Sequence, residues 1–177
     1  SLGNGCPVCA GKQIIPGEND LASQFPQLAA QWHPDKNGAL RPENVSPNSN
    51  RKVWWLCPLG HAWKATVTSR SREGAGCPFC AGRKVWPGFN DLETVEPKVA
   101  AQWHPTLNGQ LTPRMVTAGS RRKVWRQCPE GHVWKAVVYS RAGKRKCGCP
   151  VCAGRISEAR MKAYRHMAGE QQGKTER

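Results

Sequence analysis

Apolar residues fall along this chain in two alternating periods. Leu92, Val95, Val99 and Trp103 recur at intervals of three and four, as on a helix with one buried face. Asn90-Asp91 precede that stretch and Glu93 joins Asp91 at its positive end, which predicts a capped, short amphipathic helix, broken or restarted at Pro97 and stopped by Asn108-Gly109. The equivalent stretch upstream runs from Asp20 to Trp32 and stops at Asn37-Gly38. Elsewhere the period is two: Trp63, Ala65 and Val67 alternate with Lys64, Thr66 and Thr68, as in a half-buried strand. Lys52-Val53-Trp54 approaches Cys57 and the alternating segment leaves from His61, so Cys57-Pro-Leu-Gly-His61 is predicted to be the tip of a β-hairpin. Trp54, Trp63, Trp125 and Trp134 flank the two such tips, and at least half of these large rings are expected in the core.

Every one of these elements is written twice. Cys57 and Cys128, Trp32 and Trp103, and Cys9 and Cys80 each stand 71 residues apart, a period that marks a tandem array. We divide the chain into residues 1–11, the end of a cut unit; 12–82 and 83–154, two complete units; and 155–177, a helical-looking stretch with a polar tail. Each complete unit has too few apolar residues for a large core, and small domains of this kind commonly need a metal or disulfide staple.

The repeat supplies the staple. Cys57, His61, Cys77 and Cys80 form one set of soft donors, and Cys128, His132, Cys149 and Cys152 form a second. A disulfide framework would have no use for histidines at a fixed offset, whereas tetrahedral zinc is bound by Cys3His sets of this kind. Four protein donors leave no open position for a catalytic water, so the expected role is structural. Cys147 stands two residues before Cys149 and could compete with it, but the repeat register makes it a spare thiol. Cys6 and Cys9 form a third, partial pair whose missing ligands are expected upstream of Ser1; they could instead recruit a ligand such as His33, or stay metal-free. Zinc thiolates favour a reducing, intracellular compartment. No apolar run approaches the ~20 residues of a membrane span, so no membrane partner is expected.

Charge adds a partner. The formal net charge is +15, and loading two Cys3His sites with zinc lowers it to about +13. Residues 1–113 carry 11 Lys/Arg against 8 Asp/Glu, whereas residues 114–165 carry 14 against 2. A solvated face would intersperse acids, so this asymmetry points to a polyanion, namely nucleic acid, with DNA favoured over RNA. The basic residues cluster before the hairpin (Arg51, Lys52; Arg121, Arg122, Lys123), on its outer face (Lys64; Lys135), and after it (Arg70, Arg72; Arg141, Lys144, Arg145, Lys146). Ser69-Arg70 and Ser140-Arg141 are expected at the end of the outgoing strand, offering hydroxyl and guanidinium to phosphate. Position 55/126 holds Trp in one unit and Arg in the other, which predicts an exposed site where Trp55 or Arg126 stacks on bases.

His33 and His104 share a Trp-His-Pro context that favours a packed or helix-terminal role over catalysis. Carboxylates are scarce, and no phosphate-cradling glycine loop or framed nucleophile is present, so no enzyme activity is expected. Two other readings of the array are a protein-interaction scaffold and a targeting arm for a nuclease or recombinase encoded outside this stretch.

From Gly5 to Gly154 the NDL, NGxLxP, KVWW, CxxGHxW and CPxC motifs together resemble the probable zinc-ribbon, or treble-clef-like, repeat family. The resemblance implies small metal-stapled α+β units in tandem, with β-hairpin zinc knuckles and short helices. It also implies nucleic-acid binding, in some members alongside nuclease-like domains. Trp-His-Pro departs from the family pattern, in which an acidic residue often follows the Trp.

Overall fold

The computed structural model describes residues 13–144, 146–157, 159 and 160. Cys6, Cys9 and Arg145 lie outside them, as does nearly all of the C-terminal stretch expected to be helical. The described residues form two compact units that divide between Ala81 and Gly82. The first contains α1 (Leu21–Gln24), α2 (Pro26–Ala29), β1 (Lys52–Leu56), β2 (Ala62–Thr66) and α3 (Val67–Ser71). The second contains α4 (Leu92–Val95), α5 (Pro97–Ala100), β3 (Lys123–Gln127), β4 (Val133–Val137) and α6 (Val138–Ala142). A short 3-10 turn, Pro42–Asn44 or Pro113–Met115, lies between the helices and the hairpin of each unit.

The expected amphipathic helix is in fact two single turns. Glu96 precedes Pro97 and is held at φ −140°, ψ 63°, and Phe25 before Pro26 is at φ −136°, ψ 65°. Proline crowds its predecessor out of the helical region, so the break falls one residue before the ring. The helices end at Ala29 and Ala100, well short of the Asn-Gly pairs read as their stops. Val95, expected on the buried face, is 45% exposed. The predicted caps are present: Asp20 accepts the Ser23 N–H at 2.8 Å, and Asp91 accepts the Thr94 N–H at 3.0 Å. Both carboxyls are buried. Burial alone would push them up, but N–H and hydroxyl donors from Gly17 and Ser23, or Gly88 and Thr94, outweigh it and hold them below the ordinary carboxylate range.

Each hairpin is antiparallel, pairing Trp54 with Lys64 and Trp55 with Trp63 in the first unit, and Trp125 with Lys135 and Arg126 with Trp134 in the second. A single bridge adds Trp32 opposite Trp55, and Trp103 opposite Arg126. Strand periodicity ends at Thr66, whose hydroxyl accepts the Ser69 N–H and starts α3. Ser69-Arg70 and Ser140-Arg141 therefore lie on short helices, not at strand ends. Trp63 and Trp134 are buried, and Trp54 and Trp125 are half-buried.

One core cluster unites the first unit: Leu21, Trp32, Val45, Val53, Trp55 and Trp63 pack together with Cys57 and Cys77. In the second unit Leu92, Val116, Val124 and Val138 form one cluster, while Cys128, Trp134 and Cys149 form another. Among the described residues no helix is long and apolar enough to cross a membrane.

Candidate metal centres and the charges around them

The hairpin tip presents the first two donors of each set. Cys57 N–H donates to His61 O at 3.0 Å and Gly60 N–H to Cys57 O at 2.9 Å, and Cys128, His132 and Gly131 repeat both bonds at the same lengths. This turn puts Gly60 at φ 81° and Gly131 at φ 77°, a left-handed conformation open at little cost only to glycine. The backbone N–H groups of Leu59 and His61 point at the Cys57 sulfur. The second pair comes from a turn closed by Ala81 N–H to Cys77 O, or Ala153 N–H to Cys149 O, both at 3.0 Å.

In each unit these turns bring one sulfur or nitrogen from all four residues within 4.8 Å of one another. In the first unit Cys57 Sγ is 3.8 Å from Cys80 Sγ and 3.4 Å from His61 Nδ1; Cys77 and Cys80 lie 3.8 and 3.4 Å from the same nitrogen. In the second, Cys128 Sγ is 3.8 Å from Cys152 Sγ and 3.3 Å from His132 Nδ1, which is 3.4 Å from Cys152 Sγ. Tetrahedral zinc, with bonds of ~2.3 Å to sulfur and ~2.0 Å to nitrogen, spaces sulfurs about 3.8 Å apart and sulfur from nitrogen about 3.5 Å apart. The separations are therefore the edges of a zinc tetrahedron, with histidine bound through Nδ1.

The charges suit the same cation. Burial pushes the Cys57 and Cys149 thiols up, but backbone N–H and neighbouring thiol donors outweigh it and bring both below the ordinary thiol range. Cys80 is pushed up to about 12 and Cys152 to about 11, by desolvation and by the neighbouring sulfurs. Three thiolates at this spacing would repel one another, and a bound dication would offset that repulsion. Cys147 stands outside the second donor set, as the repeat register predicted.

A fold of two hairpin-based units, each with its own Cys-His-Cys-Cys zinc site, defines a tandem zinc-finger protein. Residues 28–83 and 99–155 each match the family described as probable treble clef zinc finger domain, and the chain belongs to that family. No curated protein matches it.

The basic residues fare unevenly. Trp55 and Arg126 are both 0% exposed, so the expectation of an exposed stacking position is corrected. Pairing opposite Trp63 or Trp134 and bridging to Trp32 or Trp103 faces this position inward in both units. Arg70, also expected on the surface, is buried. Its guanidinium lies 5.1 Å from the Trp55 ring centre and 5.2 Å from that of Trp63, and it donates to Ala75 O and Gln31 Oε1. Burial lowers its pKa, opposed by the Cys77 and Cys57 thiolates. Arg141 makes the equivalent ties, to Gln102 Oε1 at 3.1 Å and Lys146 O at 3.2 Å. Arg72 donates to Asn48 Oδ1 at 2.7 Å, and Lys146 pairs with Glu96 at 3.8 Å. Arg51, Lys52, Lys64, Arg121, Arg122, Lys123, Lys135 and Lys144 are exposed.

Two further recurrent roles escaped the sequence reading. Trp54 lies on the hairpin's outer face, with Lys36 Nζ 4.7 Å and Lys64 Nζ 5.2 Å from its ring centre; Lys135 Nζ is 5.3 Å from that of Trp125. Asn37 accepts the Trp54 N–H at 2.7 Å and donates to Trp54 O at 2.9 Å, and Asn108 does the same for Trp125 at 2.8 and 2.9 Å. These asparagines clamp the strand instead of ending a helix. His33 Nδ1 accepts the Asp35 and Lys36 N–H groups, and His104 Nδ1 those of Thr106 and Leu107, which is the packed role expected of them. Recurrence of Gln31, Asn37 and Trp54 in both copies was the available signal.

Proposed function

We propose that this chain is a zinc-dependent nucleic-acid-binding array that grips the phosphate backbone, with DNA favoured over RNA. The observation that carries the reading is the outer hairpin face, where an aromatic ring in each unit holds lysine ammoniums: Lys36 and Lys64 on Trp54, and Lys135 on Trp125. A cation resting on a ring loses less side-chain entropy when it meets a phosphate than a free lysine does. Arg51, Lys52, Arg121, Arg122 and Lys123 lie exposed at the entrance to the same strands and extend the basic surface. In this reading zinc is structural and the array performs no catalysis, because four donors fill each metal shell. The buried Trp55, Arg70 and Arg126 belong to the scaffold.

Titration of labelled duplex DNA, single-stranded DNA and duplex RNA into zinc-loaded protein at two salt concentrations tests the proposal. Log K is expected to fall by about 0.9 per phosphate neutralised on duplex DNA, and Lys64→Ala with Lys135→Ala to lower the salt slope by about 2. Absence of binding to all three, with two zinc ions retained, would refute it in favour of a protein-interaction scaffold.

A further inference from the structure

Each unit also carries a cleft away from its metal site. The first has a volume of about 270 Å³ and the second about 310 Å³. They are one site repeated: Ile14 and Val45 in the first correspond, 71 residues on, to Val85 and Val116 in the second. The polar side recurs as well, with Ser46, Ser49 and Arg51 answered by Thr117, Ser120 and Arg122. The cleft persists where the residues differ, Asn44 becoming Met115 and Asn48 becoming Gly119, so the backbone creates it.

Its walls are tied down from behind. Val67 N–H bonds to Arg51 O at 3.1 Å and Thr68 N–H to Ser49 O at 3.0 Å; Val138 and Tyr139 repeat these bonds to Arg122 and Ser120, both at 2.9 Å. The side chains describe the ligand. Among the described residues lining either cleft there is no carboxylate, and the second adds Arg83 to Arg122, so the occupant bears negative charge. Two aliphatic side chains line each cleft together with the arginine, which suits a ligand with an apolar face as well, and the volume sits at the small end of ligand pockets, typically ~300 Å³ and upward. Bases in a duplex keep their faces stacked inside, whereas unpaired bases offer theirs to side chains.

We propose that the cleft lined by Ile14, Val45 and Arg51, and its counterpart lined by Val85, Val116 and Arg122, each bind one nucleotide of single-stranded nucleic acid. The aliphatic side chains take the base and the guanidinium takes its phosphate. This assignment rests on the nucleic-acid reading above and adds a preference for unpaired strand.

The test uses the full zinc-loaded chain and Gly119→Leu. Gly119 lines the second cleft, a Cβ placed there meets no atom within 4 Å, and this glycine has no left-handed φ, so leucine is accepted without strain and adds bulk at the cleft wall without changing charge. Its affinity for a short oligothymidylate is expected to fall about tenfold, with affinity for a duplex of equal length kept within about twofold and two zinc ions per chain. Thymidine 5′-monophosphate titrated into the unmodified protein is expected to shift the methyl resonances of Ile14, Val45, Val85 and Val116. Unchanged methyl resonances, or equal loss of both affinities in the variant, would overturn the cleft assignment while leaving nucleic-acid binding intact. Failure of the unmodified chain to bind any nucleic acid would instead remove the underlying reading, and this assignment with it.

Discussion

The two units share a backbone plan but solve one interior position in opposite ways. In the first, Trp55 meets Trp32 edge-on at 5.5 Å between ring centres and lies beneath Arg70, and its packing runs continuously from the helices to the zinc cysteines. In the second, Arg126 occupies that place at 0% exposure, and the apolar interior separates into a helix-side cluster and a zinc-side cluster. Arg126 donates to Val99 O at 3.1 Å, but its Nε and Nη2 have no hydrogen-bond partner. Burial and the nearby Arg141 guanidinium push it down to about 10, which leaves it charged at neutral pH. The difference separates what defines the fold from what merely fills it. The aspartate caps, asparagine clamps and donor tetrads recur unchanged, while the Thr66 cap of α3 gives way to Val137 before α6 and the centre of the core tolerates a tryptophan or a buried cation.

Breaking the tetrads should have the largest effect. Cys57→Ser or Cys128→Ser is expected to lower bound zinc by one ion per chain, read by atomic absorption, and to unfold the unit that carries it, because binding free energy of roughly 10 kcal/mol or more is folding free energy in small zinc domains. The severed core of the second unit makes it the more dependent on its ion, so Cys128→Ser should lose more hairpin signal in circular dichroism.

Exchanging the differing residue sharpens the contrast. Trp55→Arg is expected to destabilise by about 3 kcal/mol, through lost packing and buried unpaired nitrogens. Arg126→Trp should stabilise by about 1–3 kcal/mol by removing such groups. Guanidinium denaturation of the zinc-loaded protein reads both, and a stabilising Trp55→Arg would show that the buried cation is the better solution.

The smallest effect is one on which the units should agree. Asp20→Asn and Asp91→Asn are each expected to cost about 1 kcal/mol at pH 7, because the amide keeps the cap but the hydrogen bonds it accepts lose their charge. Because the folded carboxyl is held below its ordinary value of 3.8, that contribution is complete above 3.8 and is lost as pH falls through the lower folded value. Denaturation at pH 7 and pH 5.5 should therefore return the same difference, for both residues.

What was legible from the residues follows from the range of the interactions. The tetrads, the knuckle and the Asp caps are local or anchored by chemically distinctive donors, so spacing exposed them. The Trp-to-Arg exchange at position 55/126 mimics an exposed site, and it is the pairing with Trp63 or Trp134 and the bridges to Trp32 and Trp103 that place that position inside. Asn37 binds Trp54 across 17 residues, a partnership that a turn-forming Asn-Gly pair conceals. Arg70 reaches Gln31 over 39 residues, and no local pattern distinguishes such a buried tie from a phosphate contact.

Each metal site is shielded except at one sulfur. Cys80 in the first unit and Cys152 in the second are exposed, while the remaining donors are buried, apart from a half-buried His132. Metal exchange with an outside chelator therefore has a single doorway, beginning with displacement of that thiolate. Its rate should depend on the concentration and size of the incoming ligand, and the second unit, where the neighbouring His132 is only half-buried, should turn over its ion first.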